Sequence, residues 1–262
     1  MKKNRKYKTS YPKFNQSIIK PSHIFTEIIT AVMMLMVSLG ISWGILTATN
    51  FAYPFFYEKM EIQNFIDHFA ALNEFGKEDF AKSSRNERIT IFQHIVTEIH
   101  QKQTALSEIS FKDSKNKSIP FLTSSEVTHL QDVAKLIRLF LATSIASFIG
   151  LILIQGIAHY GKWQLNLWRG AGLLLITIGT LLGGSLLIWG FKTVFYTLHA
   201  WIFPADHAWF FYYQESLMTT LMKAPDLFAA IGILWGVISL VTLVFILWIW
   251  KKISVKAFQT YF

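Results

Sequence analysis

The chain has 262 residues, of which 52% are hydrophobic and only 16% are charged, and it contains no cysteine. In a soluble domain of this length about a quarter of the residues are usually charged, so the composition favours a protein embedded in lipid. The lack of cysteine excludes disulfides, thiolate nucleophiles and cysteine-ligated metals.

The amino-terminal tail is strongly basic. Seven of the 25 lysines and arginines lie within the first 20 residues, which contain no acidic residue. The formal net charge of +9 could indicate a nucleic-acid-binding protein, but a basic run beside a membrane span is more simply a cytoplasmic anchor on anionic lipid. We therefore expect membrane lipids, and no nucleic acid, among the partners.

Four apolar runs are long enough to cross the hydrocarbon core, which takes about 20 helical residues. The first run is too long for the apolar region of a signal peptide, so it is expected to remain as a span. We predict an all-α polytopic membrane protein with four transmembrane helices and a small helical extracytoplasmic domain between the first two. The predicted segments are a basic tail (1–23), the first span (24–50), the helical domain (51–122), the second span with an outer extension (123–158), a loop (159–166), the third span (167–192), an outer aromatic loop (193–226), the fourth span (227–250) and a second tail (251–262).

The domain between the first two spans is predicted from two amphipathic patterns. The stretch "MEIQNFIDHFAALNEF" places Ile62, Ile66 and Phe69 on one helical face. The stretch "SRNERITIFQHIVTEIH" opens with a capping box formed by Ser84 and Glu87. The polar stretch "SEISFKDSKNKSIP" that follows is expected to be a loop.

Small residues recur at four-residue spacing within the spans, as in the pairs Gly40–Gly44 and Gly179–Gly183. This spacing lets helices approach closely in lipid. We therefore expect helix–helix packing at both pairs.

The helix that leads into the second span carries a first group of candidate functional residues, in "LTSSEVTHLQDVAKLIRLF". Thr123 and Glu126 form a capping box, so a helix should begin near Thr123. On that helix Glu126 and Asp132 lie three residues before and after His129, each about 60° from it around the axis. A histidine between two carboxylates is a candidate base or metal ligand, and a solvated helix end is the alternative.

A second candidate lies beyond the third span, in "KTVFYTLHAWIFPADHAWFFYYQES". His199 and His207 stand there among aromatic residues, where an isolated histidine commonly has a packing role at the membrane interface. The expected depth of His199 in the membrane favours a functional role for it. His129 precedes Lys162 by 33 residues and His199 follows Arg169 by 30, so on continuous helices both lie about 45–50 Å from the intervening loop. We therefore expect His129 and His199 to approach one another.

The distribution of positive charge predicts the orientation. The loop between the second and third spans and the carboxyl-terminal tail are basic, whereas residues 51–131 hold nine lysines and arginines against eleven acidic residues. The positive-inside rule then places both termini in the cytoplasm and the histidine pair on the outer side.

Other site classes find less support in the sequence. Two histidines with Glu126 or Asp132 could hold zinc, but there is no His-Glu-x-x-His motif and no closely spaced histidine pair, so we predict no metal. The chain has no G-x-S-x-G motif for a serine hydrolase and no P-loop.

At these two stretches the sequence resembles a known family, the bacterial lipoprotein intramolecular transacylases. The segment "SSEVTHLQDV" is similar to the family signature S-x-x-E-x-x-H-(M/L)-x-D-V, and "FYTLHAWIFP" is similar to its F-H-x-x-F-F segment. "AWFF" and "APDLF" resemble the W-x-F and P-x-x-F elements. The likeness extends over about residues 24–250. It departs from the family where an acidic D-P-x-x-D stretch is usual, because this chain reads "YYQES".

The resemblance implies a membrane acyltransferase in the bacterial cytoplasmic membrane, with its active site facing outside and no cofactor. Its substrate would be a diacylglyceryl lipoprotein, whose sn-2 acyl chain moves to the α-amino group of the N-terminal cysteine to give a lyso-form lipoprotein. His129 and His199 match the catalytic histidines of such chemistry, with Glu126 and Asp132 as supporting residues.

Two further residues are expected to bind the substrate. Trp209 lies in the element that resembles W-x-F, and Arg138 lies just before the second apolar run. The competing interpretation is a non-catalytic accessory or lipid-sensing membrane protein, in which a substitution such as His199→Gln would be tolerated. A transporter is a weaker third possibility, because the spans contain almost no charge and no repeated half.

Overall fold

The computed structural model describes residues 21–101, 105–161, 163 and 165–259, with the backbone alone for 21–23 and 255–259. The basic run predicted to anchor the chain on anionic lipid lies outside the described residues. In chain order the elements are α1 (Pro21–Ala48), α2 (Tyr53–Lys59), α3 (Ile62–Ala70), α4 (Arg85–His100), β1 (Ser110–Lys112), β2 (Ser118–Pro120), α5 (Ser124–Tyr160), α6 (Leu167–Ile202), α7 (Leu217–Leu221) and α8 (Asp226–Gln259), with short 3-10 helices at Asn50–Ala52, Glu78–Lys82 and Leu106–Glu108.

Four of these helices, α1, α5, α6 and α8, are long and apolar enough to cross a membrane. The structure therefore confirms the predicted all-α fold with four candidate transmembrane helices. Helix α1 is central, since it packs against each of the other three. Two of the helices extend beyond their predicted spans: α6 continues to Ile202 and α8 to Gln259.

Close packing of α1 against α5 depends on Gly40. A Cβ added there would lie 2.8 Å from the Ser144 side chain, and the Ser144 hydroxyl donates to the Met36 carbonyl at 3.1 Å. The other three predicted glycines behave differently. A Cβ at Gly44, Gly179 or Gly183 would meet no described atom within 4 Å, so the expectation of close helix packing holds at Gly40 and is wrong at these three. Gly179 is exposed and Gly183 is only partly buried.

At the end of the bundle away from the histidines, a partly buried ion pair joins α1 to α6. The Arg169 guanidinium donates to the Glu27 carboxylate from Nε at 2.9 Å and from Nη2 at 2.6 Å. The Asn166 backbone N–H donates to the same carboxylate at 2.9 Å. Gly170 permits this contact, because a Cβ there would lie 2.6 Å from the Glu27 carbonyl oxygen.

Helix α6 breaks at Gly190, whose φ of 75° and ψ of 159° are not helical. Glycine adopts this positive φ readily, whereas other residues adopt it only with strain. The buried residues of α6 are Leu167, Gly170 and Ala171, all in its first turns. Beyond these turns the described residues of α6 are exposed or only partly buried, and the continuous third helix assumed in the depth comparison is corrected to a broken one.

Residues 49–122 form a small domain, here called the cap domain, over the histidine end of the bundle. Its core contains aromatic side chains from several elements, including Tyr53 stacked on Phe92 at 3.9 Å between ring centroids. Arg88, only 2% exposed, donates to the Tyr57 hydroxyl, the Asp67 carboxylate and the Ala81 carbonyl. Because each of these bonds joins a different element, Arg88 holds the domain together.

The stretch predicted as a polar loop after α4 contains an antiparallel hairpin, with Phe111 opposite Ile119. That expectation is corrected for a physical reason: Phe111 packs against Phe80 at 5.2 Å, which draws the strand onto the domain core. The capping box predicted for α4 is half formed. The Ser84 hydroxyl accepts the Glu87 N–H at 3.2 Å, but the Glu87 carboxylate turns to the Lys112 N–H.

Candidate active site

The two predicted histidines lie side by side at one end of the bundle, with 6.5 Å between their ring centroids. His129 lies in the second turn of α5 and is 9% exposed. His199 lies nine residues after the break at Gly190 in α6. The structure thus brings together two residues that are 70 positions apart.

A backbone contact selects the tautomer of His199. Its Nδ1 lies 2.8 Å from the Phe195 carbonyl oxygen, which can only accept a hydrogen bond. Nδ1 must therefore carry the proton, and Nε2 of the neutral ring keeps a free lone pair. A histidine in this state can accept a proton from a substrate.

Aromatic rings enclose the pair. Phe203 lies 4.7 Å from His129, and Phe195 and Trp209 lie 3.9 Å and 5.4 Å from His199, measured between ring centroids. Trp209, predicted to bind substrate, therefore lies beside the histidines. Arg138 does not, since it is exposed and is absent from the described lining of the cavity that contains them.

Glu126 is fully buried, and the hydrogen bonds described for its carboxylate go to residues other than His129. Its carboxylate accepts the Thr123 N–H and the Ser216 hydroxyl, both at 2.5 Å. The capping box predicted at Thr123 is complete, because the Thr123 hydroxyl accepts the Glu126 N–H in return. Glu126 thus caps the first turn of α5 and joins this helix to Ser216, the residue before α7.

A lysine of the cap domain lies near this carboxylate. The Lys77 ammonium donates to the Phe121 carbonyl at 2.9 Å. Burial lowers the pKa of Lys77, and the negative charge of Glu126 opposes that shift. The contact ties the cap domain to the residues that lead into α5.

Asp132, the other predicted supporting residue, lies near His129 and accepts hydrogen bonds from two other groups. Its carboxylate accepts from Lys135 at 2.7 Å and from Nδ1 of His207 at 2.5 Å. His207 lies in the loop between α6 and α7, two residues before Trp209. The sequence indicated His207 only as one histidine in an aromatic segment, because nothing in the spacing of residues 75 positions apart signals this bond.

The histidines lie in a cavity of about 660 Å³, within the usual size range of ligand pockets. Its walls come from α4, α5, α6, α8 and the loop after α6, and they are almost entirely apolar. Tyr213 lines it and donates its hydroxyl to the Ala224 carbonyl, and burial raises the pKa of this phenol. Two imidazoles, those of His129 and His199, therefore line an otherwise largely apolar cavity.

Among the side chains that the structure describes, no group of three or more histidine, aspartate or glutamate residues could hold a metal ion. His129 and His199 have an aromatic surround, and the nearby carboxylates Glu126 and Asp132 are bonded to Ser216 and His207. The arrangement therefore suits proton transfer.

One comparison with known proteins identifies the chain. The family model described as lipoprotein intramolecular transacylase matches residues 28–228, more than three quarters of the sequence. Both histidines, Glu126, Asp132 and Trp209 lie within that match. No curated protein and no solved structure matches the sequence significantly. With four candidate transmembrane helices and this family match, the chain belongs to the lipoprotein intramolecular transacylase family and is a membrane acyltransferase that acts on lipoproteins.

Proposed function

We propose that this transacylase moves the sn-2 acyl chain of a diacylglyceryl lipoprotein to the α-amino group of its N-terminal cysteine, with His129 and His199 as the acid–base pair. The observation that carries the proposal is their 6.5 Å approach at an apolar cavity. No protein nucleophile is needed, since the amine and the ester belong to the same substrate.

The reaction needs two proton transfers. The α-amino group of a peptide has a pKa of about 7.7–8.0, so much of it is protonated at neutral pH and cannot attack an ester. One imidazole removes a proton from the amine as its nitrogen bonds to the acyl carbonyl carbon. The bond from that carbon to the glycerol oxygen then breaks, and the oxygen leaves with a proton from an imidazole. Such acid–base assistance is typically worth about 10²–10⁴-fold in rate.

Positioning supplies a further part of the rate. Holding the amine beside its own ester turns the transfer into a step within one bound molecule, which can contribute several kcal/mol. The aromatic rings around the pair exclude water, so hydrolysis of the ester is suppressed. The product is an N-acyl, S-monoacylglyceryl lipoprotein.

We also propose that the histidine end of the bundle faces the outside of the cell and that both termini are cytoplasmic. The cap domain, which has no excess of positive charge, and the basic loop at the Arg169 end support this orientation. The lipoprotein substrate would then enter from the outer leaflet, where its N-terminal cysteine meets His129 and His199.

The direct test uses purified protein in liposomes with a synthetic diacylglyceryl lipopeptide and mass spectrometry of the product. We expect conversion by the wild type and loss of conversion in His199→Gln that remains folded. A folded wild-type protein that forms no N-acylated product would contradict the proposal and favour an accessory or lipid-sensing role.

A further inference from the structure

The cavity continues well beyond the histidines along the axis of the bundle. On α5 it is lined by His129 and then by residues of the next two turns, and on α8 by residues spaced at i, i+3, i+4 and i+7; the apolar lining residues of these two walls include Val133, Leu136, Ile137, Phe228, Ile231 and Trp235. That spacing places the α8 residues on one helical face. Part of the cavity is therefore an apolar slot between α5 and α8 that begins at the histidine pair.

Trp43 and Trp235 line the far end of the slot, and Phe140 packs against both of them to form a three-ring floor. Trp235 lies 5.2 Å from Trp43 and 5.7 Å from Phe140, and Trp43 lies 5.9 Å from Phe140. Phe140 is eleven residues after His129 in α5, which places this floor about 16 Å along the axis from the histidine. All three residues belong to described helices, so the floor is built into the bundle.

Hydrogen bonds fix two of the three rings. The Trp235 indole N–H donates to the Leu39 carbonyl at 3.0 Å, and the Trp43 indole N–H donates to Nε2 of His100 at 2.9 Å. A ring held in this way cannot turn aside without losing a buried hydrogen bond, which is costly. The floor therefore sets a fixed end to the slot.

We propose that the slot holds the transferred fatty acyl chain and that its aromatic floor limits the length of that chain. This proposal rests on the proposed function. The ester carbonyl carbon must meet the histidines, so the hydrocarbon attached to that carbon is the part of the substrate that enters the slot. A saturated chain needs an apolar space, which this slot provides.

The slot would select acyl chains by excluding those that are too long for it. An acyl chain is already surrounded by lipid before it binds, so each methylene that fits gains little free energy. A chain that reaches past Trp235 must displace a hydrogen-bonded ring. Overfilling a packed site of this kind costs about 5- to 100-fold in affinity. We therefore expect the binding affinity to fall sharply above a certain length of the acyl chain.

Gly232 offers a way to shorten the slot. It lines the cavity one helical turn before Trp235, and a Cβ there would meet no described atom within 4 Å. Gly236 is its matched control, since a Cβ there also meets no described atom within 4 Å but the residue does not line the cavity. Gly232→Leu and Gly236→Leu therefore add the same side chain one turn apart, inside and outside the slot.

The experiment measures binding of lipopeptides whose cysteine amine is acetylated, so that no transfer can occur. The sn-1 chain is held constant and the sn-2 chain is varied in length. We expect a cutoff in the wild type, a cutoff shorter by a few carbons in Gly232→Leu, and the wild-type cutoff in Gly236→Leu. Trp235→Phe, which removes ring volume and the bond to Leu39, should move the cutoff to longer chains.

An affinity that does not depend on chain length in the wild type would overturn the inference. So would an unchanged cutoff in Gly232→Leu, or equal shifts in the two leucine variants. Should Gly232→Leu fail to fold, an unchanged cutoff in Trp235→Phe overturns it as well. Turnover of the free-amine lipopeptide is measured in parallel, so a length cutoff without turnover contradicts only the proposed function, and turnover without a cutoff contradicts only this inference.

Discussion

At the scale of single residues, hydrogen bonds hold the groups around the site and leave Nε2 of His199 free. Glu126 and Asp132 were expected near His129 from their spacing along the sequence, and both are buried there. Their partners could not be predicted, because Ser216 and His207 are 90 and 75 positions away. Helical spacing shows which residues share a face, but it carries no information on which distant loop returns to that face.

Both histidines should be essential for the transfer reaction. We expect His129→Gln and His199→Gln each to lower the transfer rate by about 10²-fold or more, because glutamine cannot exchange a proton with the amine or the glycerol oxygen. Product formation by mass spectrometry measures this loss. His94→Gln, at an exposed histidine of α4, is the control and should match the wild type. Retained transfer in a folded His199→Gln protein would contradict the assignment.

His207 should act as a positioning residue through Asp132. Its bond joins the loop that carries Trp209 to the helix that carries His129. His207→Phe keeps a ring but loses a hydrogen bond to a carboxylate, which is worth about 1.5–3 kcal/mol. We expect a fall in kcat/KM of about tenfold or more, with faster proteolysis of the loop at residues 203–213. His94→Phe should change neither, and equal proteolysis in the two variants would argue against the anchoring role.

At the scale of helices and strands, the sequence predicted the four spans well, because about 20 consecutive apolar residues have few other stable structures. The capping box at Thr123 was predicted for a similar reason, since its hydrogen bonds are local. The hairpin at 110–120 was missed because Phe111 is held by a contact with Phe80, which is distant in sequence. The break in α6 was missed because a glycine in a span is equally consistent with helix packing.

The break at Gly190 should be necessary for the approach of His199 to His129. Gly190 has a φ of 75°, a conformation that alanine adopts only with strain. We expect Gly190→Ala to favour a straighter α6 and to lower the transfer rate by about tenfold or more, while the protein remains folded. Gly184→Ala is the control, because that residue is helical and a Cβ there meets no described atom within 4 Å. Activity assays on both variants decide this, and equal activities would show that the break is dispensable.

At the scale of the whole molecule, α1 links the two ends of the bundle. Its middle packs on α5 at Gly40, and its other end is joined to α6 through Glu27 and Arg169. These contacts lie far from the histidines and involve none of the groups in the proposed reaction. The contacts that hold α1 to α5 and α6 are therefore separated along the bundle axis from the proposed site of acyl transfer.

The contact between Gly170 and Glu27 should contribute to stability rather than to catalysis. A Cβ at Gly170 would overlap the Glu27 carbonyl, so we expect Gly170→Ala to destabilise the protein by about 1–3 kcal/mol. Gly172→Ala should be tolerated, because a Cβ there meets no described atom within 4 Å. Thermal unfolding in detergent measures the difference. A wild-type melting temperature in Gly170→Ala would show that α1 and α6 are not closely packed there.

The proposed orientation is testable because the sequence contains no cysteine. Cysteines introduced at Ser114, in the hairpin of the cap domain, and at Lys256, in the carboxyl-terminal tail, give one label site on each expected side. We expect an impermeant thiol reagent added to intact cells to label Ser114→Cys alone. Labelling of Lys256→Cys from outside would reverse the topology.

The central claim is that the acyl chain moves within one substrate, and the most direct measurement is the origin of the new N-acyl chain. Purified protein in liposomes receives an unlabelled diacylglyceryl lipopeptide together with an excess of phospholipid whose acyl chains are isotopically labelled. The account predicts an N-acyl, S-monoacylglyceryl product without label, at a mass equal to that of the substrate. A labelled N-acyl chain would contradict it, because the chain would then have come from phospholipid and the protein would be an intermolecular acyltransferase.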